Sequence, residues 1–101
     1  MEKYRRMPGT QDILPDESWK WQYIEEIMRE MAHHYGYNEM RLPTFENIDL
    51  FRRGVGDTTD IVSKEMFDFI KGDREMVLRP EGTAGIVRAV LENGLLASSP
   101  L

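Results

Sequence analysis

The sequence contains no cysteine, which excludes a disulfide framework and every thiolate metal site. It also lacks long apolar segments: no uninterrupted apolar run exceeds four residues, whereas a membrane-spanning helix needs roughly 20. The charged amino terminus leads into no apolar segment of the kind that directs secretion. We therefore expect a chain that makes no membrane contact and is located in the cytoplasm.

Positive charge is scarce as well. The 101 residues include 18 acidic and 13 basic side chains, which give a formal net charge of -5. Non-specific binding to nucleic acid depends on many contacts between Lys or Arg and phosphates. The overall charge therefore does not favour such binding, and any contact with a nucleic acid should be local.

A long amphipathic helix is predicted from Asp16 to Tyr35. Its apolar residues recur at intervals of three and four, which places them on one face. Asp16 or Ser18 can cap its start, and Gly36 fits the left-handed position that ends a helix. This apolar face needs a partner surface. Its members are Trp19, Tyr23, Ile24, Ile27, Met28, Met31 and Tyr35.

The rest of the chain predicts a small antiparallel sheet with helices. A hairpin is indicated by alternating apolar residues on both sides of a polar turn that contains glycine. With the helices, this order is an α+β fold with about three strands, so at least one sheet edge is open or paired elsewhere. The predicted elements are a strand over Tyr37–Pro43, a short helix over Asn47–Arg53, strands over Glu65–Ile70 and Glu75–Arg79, and a helix over Thr83–Asn93.

The segment Leu78–Gly85 combines a carboxylate, a hydroxyl and two glycines where the hairpin leads into the last helix. Glu81 and Thr83 lie beside the free N–H groups of the helix start. Acceptors of this kind suit a ligand ammonium group, which carries three donors and no acceptor. On spacing alone the structural alternative carries more weight: Glu81 complements the helix dipole and Thr83 caps the helix.

Two other sequence patterns predict neither a phosphate-binding loop nor a metal site. The glycine-containing segment Arg52–Asp60 lacks the phosphate-loop consensus and does not follow a strand, so we interpret it as a surface loop. His33 and His34 are neighbours in the predicted helix and point about 100° apart, which makes them a poor metal-binding pair. We predict no metal site and no catalytic constellation of Ser, His and Asp or of Cys and His.

Four segments, in this order and spacing, resemble the amino-terminal region of the histidyl-tRNA synthetase family and together cover nearly the whole chain. The resemblance implies part of a class II synthetase catalytic domain, an antiparallel sheet flanked by helices. The four segments are Gly9–Pro15, Tyr35–Glu46 with its Tyr-Gly-Tyr and Arg-Leu-Pro-Thr-Phe-Glu sequences, Thr59–Phe67, and Leu78–Gly85 with Val87 and Arg88.

The same resemblance implies a homodimer. In this family the long helix and the following strand form motif 1, which here corresponds to residues 16–43. We therefore expect Trp19, Ile27, Met31 and Pro43 at a dimer interface, although part of the apolar stripe can also pack within one chain.

The resemblance further implies that residues 64–94 carry the amino acid site, with Glu81 and Thr83 holding the α-ammonium group of histidine. The family uses ATP and Mg2+ to form histidyl-adenylate and then transfers histidine to tRNA(His). Its ATP-binding arginine and its motifs 2 and 3 should lie beyond Leu101. We therefore interpret residues 1–101 as an amino-terminal fragment that contains no catalytic residue and is inactive alone.

Two alternatives belong to other functional classes. The regulatory subunit of ATP phosphoribosyltransferase resembles these synthetases over its core but binds a catalytic partner and relays histidine. The chain keeps the Glu-Gly-Thr-Ala-Gly and Thr-Asp-Ile-Val sequences, which favours the synthetase. The second alternative is a stand-alone dimerisation module.

Overall fold

The computed structural model of the chain describes residues 3–55 and 66–97, and the side chains of all of these except 53–55. These residues divide into two units, Met1–Glu39 and Met40–Leu101. The first unit is dominated by one helix, and the second contains the sheet and the other helices. The predicted surface loop Arg52–Asp60 is wrong in its first part, because residues 52–55 belong to a helix. Residues 56–60 of that loop and most of the family-like segment Thr59–Phe67 lie outside the described residues.

Helix α1 spans Pro15–His34. The predicted caps Asp16 and Ser18 are wrong, because both lie inside the helix and Leu14 occupies the N-cap position. Pro15 is the first helical residue, where the N–H that proline lacks would have had no intrahelical partner. The carbonyl oxygen of Leu14 instead accepts N–H bonds from Glu17 at 2.9 Å and Ser18 at 2.8 Å.

The predicted end of α1 is confirmed. Gly36 has a positive φ of 80°, and its N–H donates to the carbonyl oxygen of His33 at 3.1 Å. The next N–H, that of Tyr37, donates to Ala32 at 2.9 Å. This pair of bonds is the Schellman arrangement, which requires a left-handed residue at the position of Gly36.

The apolar stripe of α1 is exposed along its whole length, and the helix contains no buried residue. Of the residues expected at a dimer interface, Trp19 is 59% exposed, Ile27 44% and Met31 59%. Within the described residues no helix combines the length and the apolar content that crossing a membrane requires. The stripe therefore has a surface available for a partner.

The second unit contains a three-stranded antiparallel sheet in the order β1-β3-β2. Its strands are β1 (Phe45–Asn47), β2 (Asp68–Lys71) and β3 (Arg74–Leu78). Helix α2 (Asp49–Val55) follows β1, and helix α3 (Thr83–Glu92) follows β3. The central core consists of Ile48, Phe51 and Val77, with Leu50, Met66 and Ala84 packed against it. The α+β architecture expected from the sequence is confirmed.

The predicted strand Tyr37–Pro43 is wrong, since the strand forms over Phe45–Asn47 instead. The register explains this shift. Phe45 pairs with Leu78, the last residue of β3, so a longer β1 would place Pro43 opposite Pro80. Neither proline has an N–H to donate to a ladder. Pairing therefore cannot extend to Pro43, which is exposed.

The predicted hairpin is confirmed, with β2 and β3 joined through Gly72 and Asp73. Gly72 has a φ of 68°, which glycine adopts without strain. The predicted helix over Thr83–Asn93 forms as α3, over Thr83–Glu92. Val90 is buried, but Val87 is 51% and Leu91 66% exposed. The helix instead packs through its small residues Gly85 and Ala89, because small side chains let its backbone approach the sheet closely.

Candidate functional site

The turn between β3 and α3 is shaped by its sequence. Pro80 cannot donate a ladder hydrogen bond, so β3 ends at Leu78. Gly82 occupies the N-cap position of α3 and provides no capping side chain. The first N–H groups of α3 must therefore be satisfied from elsewhere.

The Glu81 carboxylate satisfies these groups. Its Oε2 accepts the Thr83 N–H at 2.6 Å, and its Oε1 accepts the Ala84 N–H at 3.1 Å. The structural alternative for Glu81 is thus realised, because this side chain lies at the positive end of the helix dipole. Thr83 is the first helical residue and not the cap. Both residues are exposed, so a ligand can reach them.

Arg79 ties this turn to the segment that leads into β1. Its Nη1 donates to the carbonyl oxygens of Leu42 at 3.0 Å and Pro43 at 3.3 Å. Its backbone N–H also donates to the carbonyl oxygen of Thr44 at 2.9 Å. Three hydrogen bonds therefore hold the residue two positions before Glu81.

A second connection joins α3 to β1. The Glu46 side chain is buried, at 8% exposure, and its Oε2 lies 3.2 Å from Nε of Arg88. Arg88 also donates to Glu92, four residues further along the helix. The hydrogen bond to Glu92 has the largest effect on the pKa of the Arg88 guanidinium and raises it above its ordinary value. Desolvation has the next largest effect and lowers the pKa, and the hydrogen bond to Glu46 raises it again. Arg88 therefore stays charged at physiological pH.

Comparison with known protein families shows to which family the chain belongs. The family model described as histidyl-tRNA synthetase matches residues 9–98. The chain belongs to the histidyl-tRNA synthetase family. The match includes the turn at Glu81, helix α1 and the segment that leads into β1, so it covers every part of the candidate sites.

Curated relatives support the same family. The histidine–tRNA ligase of Acetivibrio thermocellus is 59% identical over 93 residues, which make up 91% of this chain but 22% of the relative. The ligase of Ligilactobacillus salivarius is 60% identical over 94 residues, again 22% of its length. The chain thus spans about a fifth of the length of the curated relatives that it matches.

Solved structures resemble the fold. The apo histidyl-tRNA synthetase of S. aureus matches with a TM-score of 0.82 and 42% identity, over 97% of this chain and 23% of that one. This match confirms that the sheet and helices form part of a class II synthetase domain.

The structure brings together only some of the residues predicted from the sequence. Glu81 and Thr83 lie in one turn, joined by a hydrogen bond. Pro43 reaches the same unit and contacts Arg79 through its carbonyl oxygen. The other three expected interface residues, Trp19, Ile27 and Met31, lie on α1 in the first unit.

Sequence reasoning assigned no role to Glu46, Arg79 or Arg88, although the family-like segments contain all three. A charged residue in a strand is ordinarily expected on the solvent side, so Glu46 offered no signal of burial. The bond from Arg79 to Leu42 spans 37 positions of the sequence, and that from Arg88 to Glu46 spans 42. Such long-range pairs become visible only when the sheet register is known.

Proposed function

We propose that this chain forms the amino-terminal part of the catalytic domain of a histidine–tRNA ligase and acts in the cytoplasm. The observation that carries the proposal is the exposed turn Glu81–Thr83, which places a carboxylate and a hydroxyl beside the start of α3. In this proposal, both side chains bind the α-ammonium group of histidine.

The capping role of Glu81 is compatible with ligand binding. Each carboxylate has about four lone-pair sites, and the N–H groups of Thr83 and Ala84 occupy some of them. The remaining sites can accept from an ammonium group, and the charge makes such bonds strong. The backbone bonds also fix the direction of the carboxylate before the ligand arrives, which lowers the entropy cost of binding.

The reaction proposed for the whole ligase has two steps. A carboxylate oxygen of histidine attacks the α-phosphate of ATP, which forms histidyl-adenylate and releases pyrophosphate. A ribose hydroxyl at the end of tRNA(His) then attacks the activated carbonyl carbon and releases AMP. Holding the ammonium group orients the histidine carboxylate for the first attack, and such positioning can supply a large part of the acceleration.

The triphosphate and Mg2+ require other parts of the ligase. In residues 3–55 and 66–97 no group of three or more His, Cys, Asp or Glu side chains could hold a metal ion. We infer that the isolated chain forms no adenylate and charges no tRNA.

The exposed stripe of α1 supports a homodimer in this proposal. Trp19, Ile27 and Met31 leave a large apolar surface accessible to water, and burying such surface is the main favourable term in association. A second copy of the same helix is the partner that the family resemblance implies.

One solved structure is relevant to the alternative that the chain belongs to a regulatory subunit of ATP phosphoribosyltransferase. A protein from Bacillus halodurans C, described as an ATP phosphoribosyltransferase regulatory subunit/histidyl-tRNA synthetase, matches with a TM-score of 0.75 but 27% identity. The higher identity to curated ligases, at 59% and 60%, favours the ligase. A stand-alone dimerisation module would need neither Glu81 nor Thr83.

A chimaera tests the proposal. This chain replaces the matched residues of the Acetivibrio thermocellus ligase, and histidine-dependent exchange between ATP and pyrophosphate is measured. We expect the chimaera to be active and the Glu81→Ala variant to have a strongly raised KM for histidine. Glu17→Ala is the matched control, because Glu17 is an exposed acidic residue in the first turn of α1. An unchanged KM in Glu81→Ala would refute the site assignment.

A further inference from the structure

Glu46 is the only buried polar or charged residue among residues 3–52 and 66–97. It lies in the middle of β1, directly opposite Val77, which is 0% exposed. Directly opposed residues of an antiparallel pair share one face of the sheet. The Glu46 carboxylate thus lies on the face that carries the core.

Burial of this carboxylate needs an explanation other than stability. Desolvation of a charged pair often offsets its attraction, and apolar residues of similar volume frequently stabilise a protein as well or better. Apolar residues at both positions of the Glu46–Arg88 pair could therefore be as stable as the ion pair. The contacts of Glu46 suggest what the carboxylate does instead.

The Glu46 carboxylate approaches α3 at two residues, Arg88 and Gly85. Its Oε2 lies 3.2 Å from Nε of Arg88, in the second turn of the helix. The same oxygen lies so close to the Gly85 backbone that a Cβ atom there would be 2.9 Å away. Glu46 therefore holds the first two turns of α3 both by charge and by direct packing.

The position of these turns determines the position of Glu81. The Glu81 carboxylate is bonded to the N–H groups of Thr83 and Ala84, the first two residues of α3. A displacement of α3 along or away from β1 would carry both N–H groups with it. On the other side of Glu81, the bonds of Arg79 fix the chain against Leu42 and Pro43.

We propose that Glu46 is a positioning residue, which acts through Arg88 and Gly85 to set the location of the Glu81 carboxylate in the histidine site. This inference rests on the function proposed above and adds to it the residue that orients the ammonium-binding group. Glu46 does not touch the ligand, so it is not a catalytic residue.

The test uses the active chimaera with Glu46→Gln. Glutamine keeps the size of the side chain and one carbonyl oxygen but removes the charge that pairs with Arg88. We expect the KM for histidine to rise by roughly ten- to a hundredfold, because a misplacement of about 1 Å can cost on the order of a hundredfold. The KM for ATP should change little, whereas a general loss of structure would raise the KM values for both substrates.

Glu75→Gln is the matched control. Glu75 lies on the neighbouring strand and pairs with Arg52 at 3.1 Å, but this pair does not involve α3. We expect no change in the KM for histidine in this variant. Equal changes in Glu46→Gln and Glu75→Gln, or a fall in the thermal midpoint of Glu46→Gln with an unchanged KM, would overturn the inference.

Arg88→Gln gives a second test, which leaves the buried residue Glu46 unchanged. If the pair acts as a unit, Arg88→Gln should raise the KM for histidine, and the double variant should be no worse than the more affected single variant. Fully additive effects would contradict the inference. Failure of the proposed function is separate, since it would appear as an unchanged KM in Glu81→Ala.

Discussion

The carboxylate of Glu46 occupies the space that a side chain at Gly85 would need. A Cβ atom at Gly85 would lie 2.9 Å from Oε2 of Glu46 and 3.0 Å from Cδ1 of Leu42. Real Cβ atoms almost never approach other atoms so closely, so in Gly85→Ala the Glu46 carboxylate, which is paired with Arg88, and the end of the Leu42 side chain must shift. Alanine is favoured over glycine in a helix interior by about 1 kcal/mol. Overpacking, however, costs about 1–3 kcal/mol. We expect net destabilisation, measured by urea unfolding of the chain.

Gly82→Ala is the control for this prediction. No atom lies within 4 Å of a Cβ atom built at Gly82, and its φ is −104°, which any residue adopts. Its cost should be limited to the weaker N-cap preference of alanine, about 1 kcal/mol or less. If Gly85→Ala is as stable as the parent chain, the close approach of Glu46 to α3 is not a constraint.

The hydrogen bonds of Arg79 predict a measurable role in stability. Arg79→Met removes the bonds to the carbonyl oxygens of Leu42 and Pro43 while keeping most of the apolar stem. Because the residue is exposed, we expect a loss of about 1 kcal/mol in the free energy of unfolding. Arg29→Met on α1 is the matched control, since Arg and Met have similar helix propensities. A loss of equal size in both variants would mean that these carbonyl contacts contribute nothing.

The sequence predicted the elements whose signals are local. Helix α1 follows from its apolar period, its end from Gly36, and the hairpin from the glycine turn at Gly72. The strand over Tyr37–Pro43 failed because alternation describes one segment, whereas a strand also needs a paired neighbour. That neighbour, β3, ends opposite Phe45.

The candidate site was predictable only in part, because some of its contacts join segments that are distant in the sequence. Glu81 and Thr83 are two positions apart in the sequence, so a turn is enough to bring them together. Glu46 and Arg88 are brought together by the packing of α3 on the sheet. Burial of a carboxylate also contradicts ordinary residue preferences. Sequence patterns could therefore locate the turn but not the residues that hold it.

Gly36 predicts a substitution effect that comes from the backbone alone. Its φ is 80°, and no atom lies within 4 Å of a Cβ atom built there. Gly36→Ala therefore meets no clash, but it places an L-residue in the left-handed region at a cost of about 1–2 kcal/mol. Gly36→Asn should cost less, because asparagine tolerates this conformation. Thermal unfolding followed by circular dichroism would measure both, and equal effects of the two variants would contradict the backbone explanation.

The raised pKa of Arg88 predicts how its contribution depends on pH. A cation whose pKa is higher in the folded than in the unfolded chain stabilises the fold below the unfolded pKa, and the stabilisation is lost as the pH rises through the folded pKa. Both values for an arginine lie well above about pH 10. The difference in unfolding free energy between the parent chain and Arg88→Gln should therefore stay constant from about pH 7 to about pH 10. A decline over this range would assign the contribution to another titrating group.

The exposed stripe of α1 predicts self-association. The parent chain should sediment as a dimer at micromolar concentration, and Ile27→Glu should shift it towards the monomer by placing a charge on the apolar surface. Arg29→Glu is the control, because position 29 lies about 200° around the helix from position 27.

No residue of α1 is buried within the chain, so the helical circular dichroism signal should survive both substitutions. Loss of the dimer without loss of helix would then assign the interface to this face. A parent chain that is strictly monomeric, or equal dissociation of both variants, would contradict it.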